Sequence, residues 1–277
     1  MLPEFALGTW QYRGEVGPLR AGIELGVSFI DTAESYGSEE VVGQAIHGMR
    51  DKVFLATKAS PRNFRRRDLI RAAEKSLKRL NTDYIDLYQL HWPNYNIPVG
   101  ETMAAMEELV EKGKIRFIGV SNFSEREIEQ AQAALSKNRI VSNQVRYSLI
   151  ERTIEYGLLQ YCEAKQITVL AFSPLANGLQ NIRSYDREDV VGTVASAAEK
   201  THAQVALNWC VCRTPVIAIF KADKVEHVRE NCGGSGWRLQ PRQIDTLNQI
   251  PFQRRRPIER FARRFARRIM QRFGRNI

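Results

Sequence analysis

Short apolar runs alternate along this chain with longer stretches of helical periodicity. The runs at 5–9, 28–31, 53–57, 85–90, 117–121, 140–144, 168–172 and 216–220 are rich in β-branched and aromatic residues and bounded by turn residues. They read as eight strands. Between them, apolar residues recur three and four apart. Leu69, Ile70, Ala73, Leu77 and Leu80 form one such stripe, and Met103, Met106, Leu109 and Val110 form another. Ser124 followed by Glu127 fits a capping box opening a helix through Ile128, Ala131 and Leu135. Further helices are expected near 38–49, 154–165, 190–212 and 225–231. Strand–helix alternation with short connections implies a parallel sheet, and eight such strands close a barrel. A doubly wound sheet is the rival, but the Gly-x-Gly-x-x-Gly that usually follows its first strand is absent. The expected fold is α/β: one (β/α)8 TIM barrel over 1–250, followed by a tail over 251–277.

Composition changes this picture little, and charge changes it in one place. Of 277 residues, 43% are hydrophobic and 26% charged, so the chain has the apolar surface for a core. The net charge is +10, yet residues 254–277 hold ten Arg against a single acid, Glu259. Nearly all the excess charge therefore belongs to the tail, and the body has no electrostatic footprint for nucleic acid. In the tail, Ile258, Phe261, Phe265, Ile269 and Phe273 recur every three or four residues with Arg between them. This pattern predicts a basic amphipathic helix, either packed on the barrel or touching a membrane surface or an acidic partner. No apolar run is long enough to cross a bilayer. The opening residues lack the basic-then-apolar pattern of a secretory signal. Cys162, Cys210, Cys212 and Cys232 have irregular spacing and no Cys-x-x-Cys pair, which suits reduced thiols in a cytoplasmic protein.

In a parallel barrel, chemistry sits where the strands end. The second strand ends in Asp31, with Tyr36 five residues on. The third ends in Lys58, the fourth in His91, the fifth in Ser121 and Asn122, the sixth in Gln144, and the seventh in Phe172 and Ser173. A tyrosine holds its proton at neutral pH, and a nearby ammonium makes it a better donor by favouring the phenolate. Asp31 can pair with Lys58 and fix its position. His91 can donate to a carbonyl, so that two donors stabilise the alkoxide formed as hydride arrives. No His-x-His or His-Glu-x-x-His cluster points to a metal.

These segments resemble the aldo-keto reductase family. FIDTAESYG (29–37) is similar to its signature, TKAS (57–60) supplies Lys58, and DYIDLYQLHWP (83–93) supplies His91. GVSNF (119–123), SNQVRYSL (142–149) and AFSPLANGL (171–179) resemble its cofactor-contacting segments. The GTW and HWP forms are similar to its prokaryotic branch, which includes diketogluconate-reductase-like proteins. The resemblance implies an NAD(P)H-dependent oxidoreductase that reduces an aldehyde or ketone to an alcohol. Tyr36 is then the general acid, with its pKa lowered by Lys58. Asp31 partners Lys58, and His91 orients the carbonyl. Ser121, Asn122 and Gln144 bind the nicotinamide carboxamide, Phe172 stacks on its ring, and Ser173 and Leu175 lie along the pyrophosphate. Trp10 and Trp92, with Tyr95, line the carbonyl pocket. The family default is a monomer.

The segment facing the cofactor's 2′-phosphate departs from the family. In IFKADKVEHVREN (219–231), Lys221, Glu230 and Asn231 match, Ala222 and Asp223 stand where hydroxyls are usual, and His227 stands where Arg is usual. A carboxylate near a phosphate is unfavourable. NADP(H) is therefore expected to bind with its preference over NAD(H) weakened or reversed. Family members often begin with a hairpin covering the barrel bottom, and this sequence reaches its first strand almost at once. The segment 179–190, which often folds over the cofactor, is also short. The alternative reading is a nicotinamide-binding redox sensor or scaffold acting through partners, with the basic tail as docking element.

Overall fold

Inward-facing positions of this chain change from apolar to polar along several strands, and that change places the chemistry. The computed structural model describes residues 2–253. Its strands are β1 (Phe5–Gly8), β2 (Phe29–Asp31), β3 (Phe54–Ala59), β4 (Ile85–Leu90), β5 (Ile115–Ser121), β6 (Ile140–Arg146), β7 (Thr168–Phe172) and β8 (Val216–Phe220). Each pairs in parallel with its sequence neighbours, and β1 pairs with β8, so the sheet closes. Side chains alternate across a strand, so every second residue points into the barrel. On β2, Phe29 precedes Asp31. On β3, Phe54 and Ala56 precede Lys58, and on β4, Leu87 precedes Gln89. Phe29, Ala56, Leu87, Leu170, Ile217 and Ile219 form an apolar cluster separate from the main core. The polar layer lies above it, toward the strand C-termini. At the opposite end Phe117 stacks on Phe54 and stays 45% exposed.

The larger core lies between strands and helices. Those helices are α1 (Val16–Glu24), α2 (Glu39–Ile46), α3 (Arg66–Leu80), α4 (Val99–Glu111), α5 (Glu125–Ala133), α6 (Leu158–Ala164), α7 (Leu179–Arg183), α8 (Val190–Ala198), α9 (His202–Val211), α10 (Val225–Cys232) and α11 (Pro241–Asn248). On α3, Leu69, Ala73, Leu77 and Leu80 are buried, the stripe the spacing predicts. Ser124 and Glu127 form the expected capping box on α5. The single helix expected over 190–212 is two. Glu199 takes a left-handed φ of 52°, and Thr201 caps α9 by accepting from the Gln204 amide while Gln204 answers the Thr201 amide. Helices α1, α7 and α11 went unanticipated. Glycines and Pro18 dilute the periodicity of the first, the second has five residues, and the third carries few apolar positions.

Among the described residues no helix is long and apolar enough to cross a membrane. No group of three His, Cys, Asp or Glu there could hold a metal ion. The described chain closes with the Gln253 amide donating to the Ile150 carbonyl. The basic amphipathic helix expected over 254–277 lies outside the described residues.

Candidate active site

Asp31 ends β2 inside the barrel mouth and is the hub of a buried polar cluster. Its Oδ2 accepts from Lys58 Nζ at 2.6 Å. Its Oδ1 accepts from Gln144 Nε2 at 2.8 Å and from Gln89 Nε2 at 3.2 Å. Lys58 is fully buried and also donates to the Thr32 carbonyl at 2.8 Å. Burying an ammonium costs several kcal/mol unless it is paired and its protons are used. Here the carboxylate, the carbonyl and the facing phenol meet that demand. Burial alone would lower the Lys58 pKa, but Asp31 and then Tyr36 outweigh it and hold the group above its usual value.

Tyr36 sits in the turn between β2 and α2. Its amide donates to the Ala33 carbonyl, and Gly37 follows at φ 72°, a left-handed conformation that favours glycine. Ser38 ties the turn back to β1 by donating to Thr9 Oγ1 at 2.9 Å. Lys58 Nζ stands 5.0 Å from the Tyr36 ring centroid. The Tyr36 hydroxyl lies 3.3 Å from His91 Nε2. Lys58 does pull the Tyr36 pKa down, as the sequence reading expects, but burial outweighs it and the net shift is upward. Tyr36 therefore holds its proton throughout the neutral range. Burial, and then Lys58, push His91 down to about 3, so its imidazole is neutral and can donate without carrying charge. The four residues expected to act together do meet at one place.

The other expected residues divide into those beside this cluster and those elsewhere. Ser121 ends β5 and donates to the Gln144 carbonyl at 3.0 Å. Asn122, at φ 63°, donates through Nδ2 to Ser121 Oγ and to the His91 carbonyl. Among the described residues, Asn122 Oδ1 and Gln144 Oε1 carry no hydrogen bond. Two carbonyl oxygens at adjoining strand ends suit the NH2 of a carboxamide, so this donor and acceptor set fits a nicotinamide. Phe172 ends β7, half-buried, with the Arg146 guanidinium 5.1 Å from its centroid. Ser173 donates to Asn177 Oδ1 at 2.8 Å, and Leu175 packs against the core.

Trp92 is roughly parallel to His91, with ring centroids 6.5 Å apart, and Trp10 is 49% exposed in the loop after β1. Tyr95 turns its hydroxyl to Glu127, the capping residue of α5. Its phenol belongs to that contact as much as to a pocket.

Beyond β8, Lys221 Nζ pairs with Asp223 Oδ2 at 2.5 Å. Asp223 Oδ1 also accepts the Arg13 amide at 3.0 Å, which ties this segment to the loop after β1. Tyr12 feels the same carboxylate: burial first, and then Asp223, push its phenol up to about 12. Ala222 and Asn231 are buried, Glu230 is half-buried and His227 is exposed on α10.

One residue of the cluster escaped the sequence reading. Gln89 lies in DLYQL, a run whose other inward and outward positions are filled by a core and by an ion pair, and its only signal was polarity inside a buried strand.

Comparison with known proteins places this geometry. The profile of the Aldo/keto reductase family matches residues 5–251. The methylglyoxal reductase YeaE of Escherichia coli is 44% identical over 240 residues, covering 83% of this chain and 84% of that protein. The methylglyoxal reductase DkgB of Salmonella typhimurium is 33% identical over 219 residues, covering 76% and 79%. A Klebsiella pneumoniae aldo-keto reductase solved with NADPH superposes at a TM-score of 0.85 with 39% identity, covering 92% of this chain and 93% of that one. These relatives are bacterial, as the GTW and HWP forms suggested. With the profile spanning the whole barrel, the chain belongs to the aldo/keto reductase family and is an oxidoreductase of that family.

Proposed function

We propose that this enzyme reduces small aldehydes and ketones of the methylglyoxal type with NADP(H), and that Tyr36 delivers the proton. The contiguous series Asp31, Lys58, Tyr36 and His91 carries the reading. The cofactor, when bound, supplies the hydride. The remaining work falls to this chain. A carbonyl oxygen placed against both the Tyr36 hydroxyl and His91 Nε2 meets two donors, and donors aimed at developing charge lower the barrier. Tyr36 gives up its proton to that oxygen. The phenolate left behind faces Lys58, whose charge Asp31 keeps in place. Neutral His91 polarises the carbonyl and does not compete with Tyr36 as an acid.

Asn122 and Gln144 hold the carboxamide in this reading, with Ser121 bracing them, and Phe172 covers the ring. Trp10 and Trp92 flank the substrate. Support for NADP(H) comes from Lys221 and from the NADPH in the Klebsiella relative. Asp223 acts against the 2′-phosphate and narrows the preference over NAD(H). We place the barrel at 1–250 as one catalytic unit acting as a monomer. The Arg-rich residues 254–277 are proposed as a contact for an anionic surface.

The test is loss of reduced-nicotinamide absorbance with methylglyoxal and a panel of aldehydes, for the wild type and for Tyr36→Phe. Turnover by the wild type, falling by about 10³-fold in the variant with the fold intact, is expected. Full turnover by Tyr36→Phe would overturn the assignment. Tight NADPH binding without turnover on any carbonyl would favour the sensor reading.

A further inference from the structure

We infer that Gln89 is a positioning residue that sets the proton affinity of Tyr36 by holding Asp31. Gln89 sits in the middle of the barrel wall and is fully buried. Its neighbours in register are Lys58 on β3 and Gly119 on β5, and Gly119 in turn pairs with Ser142 on β6. A carboxylate only accepts, so the Gln89 amide must turn Nε2 toward Asp31. Oε1 is then aimed away from Asp31, and among the described residues it finds no donor. An orphaned buried carbonyl oxygen costs about 1–3 kcal/mol. A side chain that contributed only packing would be better replaced by an apolar one. The residue is explained by what its other end does.

That end is one of three donors on Asp31. Lys58 takes Oδ2, while Gln144 and Gln89 share Oδ1. Three strands other than its own thus fix the carboxylate, and they offset its charge. Asp31 raises the Tyr36 pKa through space, whereas Lys58 lowers it. The charged and titratable groups facing Tyr36 are Asp31 from β2, Lys58 from β3 and His91 from the end of β4. Taking one donor from Asp31 leaves more of its negative charge uncompensated, so Tyr36 becomes a weaker acid. Gly119 makes room for this arrangement. A Cβ there would stand 3.0 Å from Gln89 Cγ and 2.4 Å from Ser142 Oγ.

The inference rests on the reductase reading, with Tyr36 as the acid. The test is Gln89→Met, similar in volume but without donors, assayed with NADPH and methylglyoxal across pH. The alkaline limb of kcat/KM should move up by about half a pH unit or more, and kcat should fall by roughly three- to ten-fold. KM for NADPH should stay unchanged, and the melting temperature should change little, because removing the orphaned oxygen offsets the donor lost to Asp31. A folded variant with an unshifted limb overturns the inference, as does a lowered melting temperature with a wild-type profile, the signature of a packing role. Should Gln89→Met fail to fold, Gln89→Leu removes the same donor and should move the same limb. Tyr36→Phe in the same series separates the two claims. If it stays active, the reductase reading fails; if it is inactive while both other variants keep the wild-type limb, only Gln89 loses its role.

Discussion

Two lysine–aspartate pairs lie in this barrel at nearly the same distance, and they differ in what surrounds them. Lys58 and Asp31 stand 2.6 Å apart with side chains at most 4% exposed. Lys221 and Asp223 stand 2.5 Å apart with about a third of each side chain in water. In the first, every strong partner is protein: the Thr32 carbonyl, Gln89 and Gln144 complete the shell. In the second, water screens the attraction and can replace either partner. Contact distance therefore says little about what an ion pair does. The buried pair is a fixed electrode beneath Tyr36. The exposed pair is a clasp that, in the proposed reading, the cofactor's phosphate opens.

Substituting one lysine in each pair should break the comparison most widely. Lys58→Met leaves Asp31 charged and buried with amide donors alone, and breaking a buried pair costs about 3–5 kcal/mol. Differential scanning calorimetry should show a fall of many degrees. Whatever folds should lose roughly 10²–10⁴-fold in kcat/KM, because the phenolate has lost its counter-charge. Lys221→Met should change stability by about 1 kcal/mol or less. Its kcat at saturating cofactor should be near that of the wild type, with the loss confined to NADPH affinity. Equal loss of stability in both variants would mean that burial does not separate the pairs.

The buried pair was the more legible of the two. Asp31, Lys58 and His91 each end an apolar run, and a parallel barrel brings strand ends together whatever the loops do. The eight strands were legible for the same reason: strands buried on both faces read as nearly unbroken apolar runs. The inside of the wall was less legible. Nothing in DLYQL tells which partner Gln89 meets, because that depends on the shear between β2 and β4. Nor does the sequence tell that Tyr95, expected at the pocket, also gives its hydroxyl to Glu127, a contact set by the approach of one loop to α5. The break at Glu199 could have been read, since Thr201 and Gln204 spell a capping box. The clasp of Asp223 on the Arg13 amide spans 210 residues of sequence and follows from ring closure alone.

The buried electrode also reaches His91, and this offers a smaller effect with a definite sign. Burial and then Lys58 hold the folded imidazole near a pKa of about 3, whereas an unfolded histidine titrates near 6.5. The unfolded chain thus gains a proton below about pH 6.5 that the folded chain refuses. The stability contribution is complete above that pH and drains as pH falls toward 3. The slope is at most about 1.4 kcal/mol per pH unit. Urea unfolding at pH 7.0 and 5.5 should therefore show lower stability at the acid value, and His91→Phe should flatten that difference. An unchanged difference would assign the acid sensitivity to other groups.

The exposed pair yields the smallest effect and the sharpest reading of its role. Asp223 stays ionised to lower pH than a free aspartate. Burial opposes this, but the hydrogen bond from Lys221 and those from the Arg13 and Gly14 amides outweigh it. At neutral pH its charge is therefore present whenever a cofactor arrives. If Lys221 holds the 2′-phosphate as proposed, that phosphate must compete with the carboxylate for the lysine and sit beside it afterward, whereas NADH brings nothing that needs the lysine. Asp223→Ser removes the competitor and keeps a polar group to accept the Arg13 amide. NADPH affinity, read by quenching of tryptophan fluorescence, should tighten by roughly five- to ten-fold, the worth of one like charge near a surface phosphate. NADH affinity should stay put. The gain should shrink as salt is raised, because about 10 Å of screening length at 0.1 M already weakens an exposed contact. Tightening of both cofactors alike would move the effect of Asp223 from the phosphate to the loop that it holds through Arg13.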